Sequence, residues 1–273
     1  MKKILITGNS GYIGSHLSNL LNPDYDVYGL DFNDPQVSIS KHYSEDIRGK
    51  IVIHKEFDVV VHLAALVKVN ESELNPIAYY DTNLNGTLSV LKQVTTKNFI
   101  FASTGAAVEC ESAYGVSKRA AEDCVKQYCK NNNIDYTIFR FYNVIGSKGI
   151  KPTNPDGLFF NLMKAMTTNK FTLYGNDYDT PDGTCVRDYV HVLEICDAIK
   201  TAIETPSNGL ENLGHGVGYT VQQIADIFKF VNNTDFIIEY GPRRPGDIES
   251  SVLESPSSYM KKLFTLNELL NVS

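Results

Sequence analysis

Five apolar runs mark the first half of the chain: KILITG, YDVYGLD, FDVVVHLAA, NFIFAST and DYTIFRFYN. Each has the length and the β-branched and aromatic content of a strand covered on both faces. Between the runs the spacing changes. Ile77, Tyr80, Leu84, Leu88 and Leu91 recur at steps of three and four, which predicts one apolar helix face over Pro76–Val94. Pro76 suits its first turn, where a missing N–H costs little. A second helix is predicted from about Tyr114 to the break at Asn131–Asn133, and a third over TVQQIADIFKFV. Strands alternating with helices predict an α/β fold built on a doubly wound parallel sheet with helices on both faces. After YNVIG the texture shifts. Gly, Pro, Asn and Asp thicken over Ser147–Gly157 and again over Gly175–Gly183, so a large N-terminal part and a smaller C-terminal part are expected.

The first predicted strand runs straight into glycines. Gly8, Gly11 and Gly14 form a GxxGxxG pattern between a strand and a helix start. Such a turn lets the backbone approach a pyrophosphate and aims a helix N-terminus at negative charge. An ordinary strand-to-helix turn would read the same way. Asp31, at the end of the second strand, adds weight: a carboxylate there accepts hydrogen bonds from a ribose diol and repels a 2′-phosphate, favouring NAD over NADP. A solvated Asp opening a turn is the plain alternative. Asp46 and Ile47 fit an adenine contact, and equally a surface Asp followed by a core Ile. Leu63, Ala64 and Ala65 end another strand with mostly small residues that would let a cofactor pass close. Asn83 is a poor helix former inside a predicted helix, at a position that should face the sheet; a buried Asn must find partners, so it marks either a structural hydrogen bond or a water near the site.

Tyr114 and Lys118 stand one helical turn apart and share a face if that segment is helical. A phenol is a poor base at neutral pH unless a nearby positive charge favours the phenolate. Thr104, with Ser103 before it at the end of the fourth run, offers a hydroxyl to orient a reacting oxygen. Tyr-x-x-x-Lys alone is common, and a bland pairing on a helix is its usual meaning. Here it follows a glycine loop and a strand-end carboxylate.

Composition narrows the remaining classes. The chain of 273 residues is 42% hydrophobic and 21% charged, an ordinary globular balance. Its net charge of −7 argues against non-specific binding to nucleic acid or acidic membranes. No apolar run approaches the length of a membrane span, and MKKILITG reads as a first strand rather than a signal peptide. Cys110, Cys124, Cys129, Cys185 and Cys196 are odd in number and lack metal-ligand spacing. Reduced thiols in a cytoplasmic protein without a metal site are expected.

Taken together, these segments resemble the extended short-chain dehydrogenase/reductase superfamily, and within it the UDP-glucose 4-epimerase (UDP-galactose 4-epimerase) family. The resemblance runs through SGYIGSH, NPIAYYDTNLNGT, YGVSK, RFYNVIG, LYGNDYDTPDGTCVRDYVHV, NLGHGVGYTV and PRRPGD, nearly the whole chain. It implies a Rossmann-like NAD domain over 1–144, with 184–204 returning to it, and a smaller α/β nucleotide-sugar domain over 145–183 and 205–273. It implies Tyr114 as base and acid, Lys118 as its electrostatic partner and a cofactor-ribose ligand, and Thr104 as hydroxyl helper. Tyr12, Ile13 and Tyr142 join the cofactor contacts, and Ser103, Asn143 and Asn161 the substrate contacts. Tyr174 would line the uracil site, Arg187 and Arg244 would hold the diphosphate, and Asp247 a ribose. From the residues alone, the plain readings come first: Arg187 followed by Asp188 as a surface ion pair, and Arg243-Arg244 as an exposed turn. The implied reaction is reversible epimerisation at the fourth carbon of a UDP-hexose through a transient keto-sugar, in a homodimer.

Three departures from the family pattern stand out. The connection from Thr104 to Tyr114 is short, where a typical epimerase carries a longer acidic and proline-rich excursion. Val67 occupies the place of an expected cofactor-contacting lysine, with Lys68 one step off. Ser251 stands where a bulky residue is thought to block N-acetylated sugars in some epimerases, so the acetamido pair is expected to fit as well. Two other readings compete. A nucleotide-sugar 4,6-dehydratase would need an Asp-Glu pair after the Ser/Thr, where Gly105-Ala106 stand. A catalytically inactive NAD-binding sensor would explain the trimmed connection.

Overall fold

The computed structural model describes residues 1–53, 56–244, 246–261 and 263–272. Pro245 of the GPRRPGD turn therefore lies outside the described residues. The chain forms two compact units, Met1–Phe141 with Cys196–Glu211, and Tyr142–Ile195 with Asn212–Ser273. In the first unit the elements run β1 (Lys3–Thr7), α1 (Tyr12–Leu21), β2 (Asp26–Asp31), β3 (Lys41–Ser44), β4 (Phe57–His62), α2 (Val69–Leu74) and α3 (Pro76–Tyr79). A π-helical turn (Tyr80–Asn85) then leads to α4 (Gly86–Gln93), β5 (Thr96–Thr104), α5 (Ala106–Glu109), α6 (Ala113–Asn131) and β6 (Asp135–Phe141). The chain continues through β7 (Asn143–Ile145), α7 (Leu158–Thr168), β8 (Lys170–Tyr174), β9 (Val186–His191), α8 (Val192–Glu204) and β10 (Gly209–Leu213). The last elements are β11 (Gly218–Thr220), α9 (Val221–Val231), β12 (Ile237–Gly241), β13 (Ser250–Ser251) and α10 (Leu266–Leu270).

The central sheet has seven strands in the order β10-β6-β5-β4-β1-β2-β3. Every pairing from β6 across to β3 is parallel. All five predicted strands lie in it, for the reason their composition gave: Ile4, Leu5, Ile6, Val60 and Val61 have no exposed surface. β3 carries no apolar run because it is a four-residue edge strand with both ends exposed. Chain order reverses between β1 and β4, so the carboxyl ends of these two strands flank the crevice where open α/β sheets place ligands.

The helix predicted over Pro76–Val94 is present, as α3, the π turn and α4 in unbroken succession, but part of its predicted apolar face is corrected: Ile77 and Leu88 are 72% and 40% exposed. The buried stripe is Tyr79, Asn83, Thr87, Val90 and Leu91. Asn83 lies on the sheet side as the sequence implies, and Thr87 is the polar residue of the stripe that a reading based on apolar spacing passes over.

In the second unit β9 pairs with β11, β13 and β7, while β8 and β12 form a two-stranded parallel sheet. Leu162, Tyr189, Ile224 and Phe228 lie in its core. The helix predicted over TVQQIADIFKFV is α9, started by a capping box between Thr220 and Gln223. Among the described residues no helix is long and apolar enough to cross a membrane.

Candidate active site

The glycine pattern builds a tight loop at the β1 end of the crevice. Gly8 turns with φ 75°, and its N–H bonds Leu30 O of β2 at 2.8 Å. A Cβ on Gly14 would stand 2.1 Å from Gly8 O, so α1 can rest on the loop only because Gly14 has none. The N–H of Leu63 bonds Thr7 O at 3.0 Å, which brings the Leu63-Ala64-Ala65 segment alongside this loop. Tyr12 and Ile13 open α1 and are partly buried. At the end of β2, the Asp31 carboxylate accepts the N–H groups of Ser10 at 3.2 Å and Asn33 at 2.9 Å. Glycine loop, helix N-terminus and half-buried carboxylate together fit the diphosphate and ribose of a dinucleotide. Asp46 is gripped by Arg48, which holds its carboxyl below the usual range, and Ile47 is a core residue packed on Gly86.

Beneath the crevice runs a chain of polar groups that no sequence motif announced. Ala64 N–H bonds Thr7 Oγ1, which bonds His62 Nδ1 at 2.6 Å. His62 Nε2 lies 2.9 Å from Thr87 Oγ1, and Thr87 donates to Asn83 O. Since Thr87 spends its proton on Asn83, His62 carries hydrogen on Nε2 and accepts at Nδ1, the neutral tautomer. Burial, with Lys118 nearby, pulls the His62 value down to about 3. Asn83 is completely satisfied: its Oδ1 accepts Leu66 N–H, and its amide donates to Leu66 O and Ser117 Oγ. These are structural hydrogen bonds, the first of its two expected roles.

Tyr114 and Lys118 lie on one buried face of α6. The helix starts cleanly because Ser112 accepts Gly115 N–H at 3.1 Å and Glu73 of α2 accepts Ala113 N–H at 2.9 Å. Tyr114 packs edge-on against Tyr79 at 6.3 Å, and Tyr79 in turn bonds the backbone of Lys68. Burial raises the Tyr114 phenol above its ordinary value, and a hydrogen bond with Thr104 opposes that rise. The Lys118 ammonium sits 4.2 Å over the Phe101 ring, and burial lowers it to about 7. Thr104 also accepts Ala106 N–H, so the short connection folds as the single turn of α5. Ser103 gives its proton to Glu122. Val67 is 47% exposed, and Lys68 pairs with Glu71 at 3.5 Å.

The residues expected to hold a nucleotide lie in the second unit, in two groups. Arg187 donates to the carbonyls of Val186, Ile248 and Glu249 and lies 4.0 Å from Asp247. Ser251 stands beside Arg187 in the β13–β9 register. In the other group, Arg244 stacks 4.3 Å over the Tyr174 ring and bonds Asp156 O. Asn143 bonds Asp188 O, while Asn161 bonds Pro155 O and Gly157 O, holding the start of α7. Tyr142 bonds Leu213 O through its N–H. Sequence spacing could not find Glu122, Arg140, Glu73 or His62. A charged residue in the apolar run DYTIFRFYN was the one available sign that Arg140 had a buried partner.

Comparison with known proteins agrees with this fold. A UDP-glucose 4-epimerase of Lactobacillus helveticus is 33% identical over 93% of this chain and 88% of its own. A crystal structure of UDP-glucose 4-epimerase from Bifidobacterium longum, in complex with NAD+ and UDP, superposes with a TM-score of 0.85 at 28% identity, covering 98% of this chain and 96% of that one. A UDP-N-acetylglucosamine 4-epimerase from Methanobrevibacter ruminantium M1, in complex with UDP-N-acetylmuramic acid, superposes with a TM-score of 0.81 at 25% identity, covering 98% and 97%. Residues 4–214 match the family described as Epimerase: NAD dependent epimerase/dehydratase family. With a glycine loop, a strand-end carboxylate and a Tyr-Lys pair in one unit, the chain belongs to that family.

Proposed function

We propose that this protein catalyses NAD-dependent epimerisation at the fourth carbon of a UDP-hexose, through a transient 4-keto sugar. The observation that carries the reading is the buried Tyr114–Lys118 face with Thr104 bonded to Tyr114, in the same unit as the Gly8–Gly14 loop and Asp31. Gly8, Gly11, Gly14 and Asp31 would hold the cofactor's diphosphate and ribose, with Lys118 on its second ribose. NAD, when bound, supplies the hydride acceptor for the fourth carbon and returns the hydride to the opposite face.

The protein's own part is proton handling and grip. Tyr114 Oη takes the proton of the hydroxyl at the fourth carbon and later gives it back. Thr104 orients that hydroxyl, and the Lys118 charge favours the phenolate. As it stands the phenol is held protonated by burial, so the added positive charge of an oxidised cofactor acts in the direction the reaction needs. In the second unit, Arg187 and Arg244 suit the two phosphates, Tyr174 the base, and Asp247 a ribose. Asn143, Asn161 and Ser251 are assigned to substrate contact.

The small Ser251 side chain favours a second reading of the substrate, the N-acetylated pair. A 4,6-dehydratase is disfavoured because Gly105-Ala106 follow Thr104. Five free cysteines are in keeping with a cytoplasmic enzyme. Ile77 on α3, Leu88 on α4 and Val116 on α6 are exposed apolar side chains, which supports a homodimer built on those helices. The test is an epimerisation assay on UDP-glucose, UDP-galactose and their N-acetylated counterparts, with Tyr114→Phe as the paired variant. Interconversion lost in the variant, with NAD affinity kept, is expected. Absence of turnover on all four by the parent protein, with NAD bound, would leave either another nucleotide sugar as substrate or the inactive-sensor reading.

A further inference from the structure

The Tyr-x-x-x-Lys pattern says nothing about what stands one turn further along α6. Four residues after Lys118 is Glu122, only 3% exposed. Its carboxylate is gripped from two strands. Arg140 of β6 donates Nε to Oε1 at 2.8 Å and Nη2 to Oε2 at 2.6 Å, a fork on a carboxylate. Ser103 of β5 donates its hydroxyl to Oε1 at 2.5 Å. A buried ion pair is seldom more stabilising than apolar side chains of the same volume, so stability alone does not account for this one.

The groups around Lys118 narrow its purpose. From β4 comes His62, held neutral by its two threonines. From β5 comes the uncharged Phe101 ring. Arg140 of β6 faces Glu122, which matches its charge. From α3 comes Tyr79, edge-on to Tyr114. On α6 itself are the Tyr114 phenol and Glu122. Burial acts to strip the Lys118 proton near neutrality, and Glu122 is the group that opposes it.

We propose that Glu122, held by Arg140 and Ser103, is a positioning residue of the reaction, keeping the Lys118 ammonium charged on the face it shares with Tyr114. This rests on the reading of Tyr114 and Lys118 given under Proposed function. It also changes the part played by Ser103. With its one proton given to Glu122, Ser103 supports the carboxylate and can only accept a hydrogen bond from a sugar.

The test is a pH titration of the full-length protein labelled with 13C at the lysine ε-carbons, the Lys118 signal being assigned by its loss in Lys118→Arg. Glu122→Gln is expected to lower the Lys118 midpoint by on the order of one pH unit, and Glu122→Asp to restore most of it. Arg140→Gln, which leaves Glu122 with one cation instead of two, is expected to raise the midpoint, and it decides the matter if Glu122→Gln does not fold. In the epimerisation assay the alkaline limb of kcat should move with the midpoint while KM is unchanged. A midpoint that stays put in the folded variants overturns the proposal, whatever the activity. A midpoint that moves in a protein without epimerase activity supports the Lys118–Glu122 coupling and overturns only the reaction assigned to it.

Discussion

Gly29 lies in the middle of β2, where its missing side chain makes room for another residue. A Cβ there would stand 2.4 Å from the Asn9 side chain, which is buried inside the glycine loop. Loop and strand are thus fitted to each other, and Gly29→Ala is expected to cost about 1–3 kcal/mol by overpacking. A urea titration checks this. The double variant Gly29→Ala with Asn9→Gly should recover most of the loss, since the two residues share one space. Lys118 yields a prediction of opposite sign. Its folded value of about 7 lies below the ordinary 10.5. The unfolded chain therefore binds that proton more tightly between these values, and the contribution of this group to stability rises with pH across that window. Lys118→Met is expected to be more urea-resistant than the parent at pH 7, by a few kcal/mol, because each pH unit between the folded and unfolded values corresponds to ~1.4 kcal/mol. That advantage should shrink as pH approaches 10, and turnover should be lost throughout.

Among the elements, α6 decides whether Tyr114 is usable. Its start depends on the Ser112 side chain and on Glu73, which reaches over from α2. Ser112→Ala should cost about 1 kcal/mol, and it should lower kcat more than it raises KM, because Tyr114 lies in the first turn. Unfolding curves and steady-state kinetics on one preparation would show both. The sequence announced this helix and its Tyr-Lys face, since one turn of spacing is a local property. It did not announce Glu73, which lies 40 residues upstream of Ala113. It also misread part of the face predicted over Pro76–Val94: Ile77 and Leu88 are exposed, while Thr87 is buried as well as Asn83, which the sequence had placed toward the sheet. Those two polar residues are tolerated inside because Leu66, Ser117 and His62 satisfy them, and such partners are set by tertiary contact alone.

At the scale of the whole molecule, the cofactor's diphosphate and ribose and the substrate's nucleotide part are assigned to separate compact units, and two variants can separate them. Asp31→Ala, in the first unit, should weaken NAD by tenfold or more, the worth of about one charged hydrogen bond, and leave UDP binding unchanged. Arg244→Ala, in the second, should weaken UDP to a similar degree and leave NAD unchanged. Calorimetric titration with each ligand separately checks both. A loss of both ligands in either variant would count against the division. The sequence placed the return of the chain to the first unit at 184–204, whereas the compact unit regains residues 196–211. Composition marks where loops thicken, but it carries no record of which sheet a strand joins.

What the sequence determined by itself is what short-range chemistry can encode. Apolar runs specified the buried strands, glycine spacing specified the turn into α1, and a four-residue step put Tyr114 and Lys118 on one face. What only the tertiary structure decided is which distant groups share a buried volume. Glu122 finds Arg140 and Ser103, and His62 finds Thr7 and Thr87, across separate strands and helices. A buried charge or amide must be partnered, but any of several residues could serve, and the chain's packing alone selects which one does.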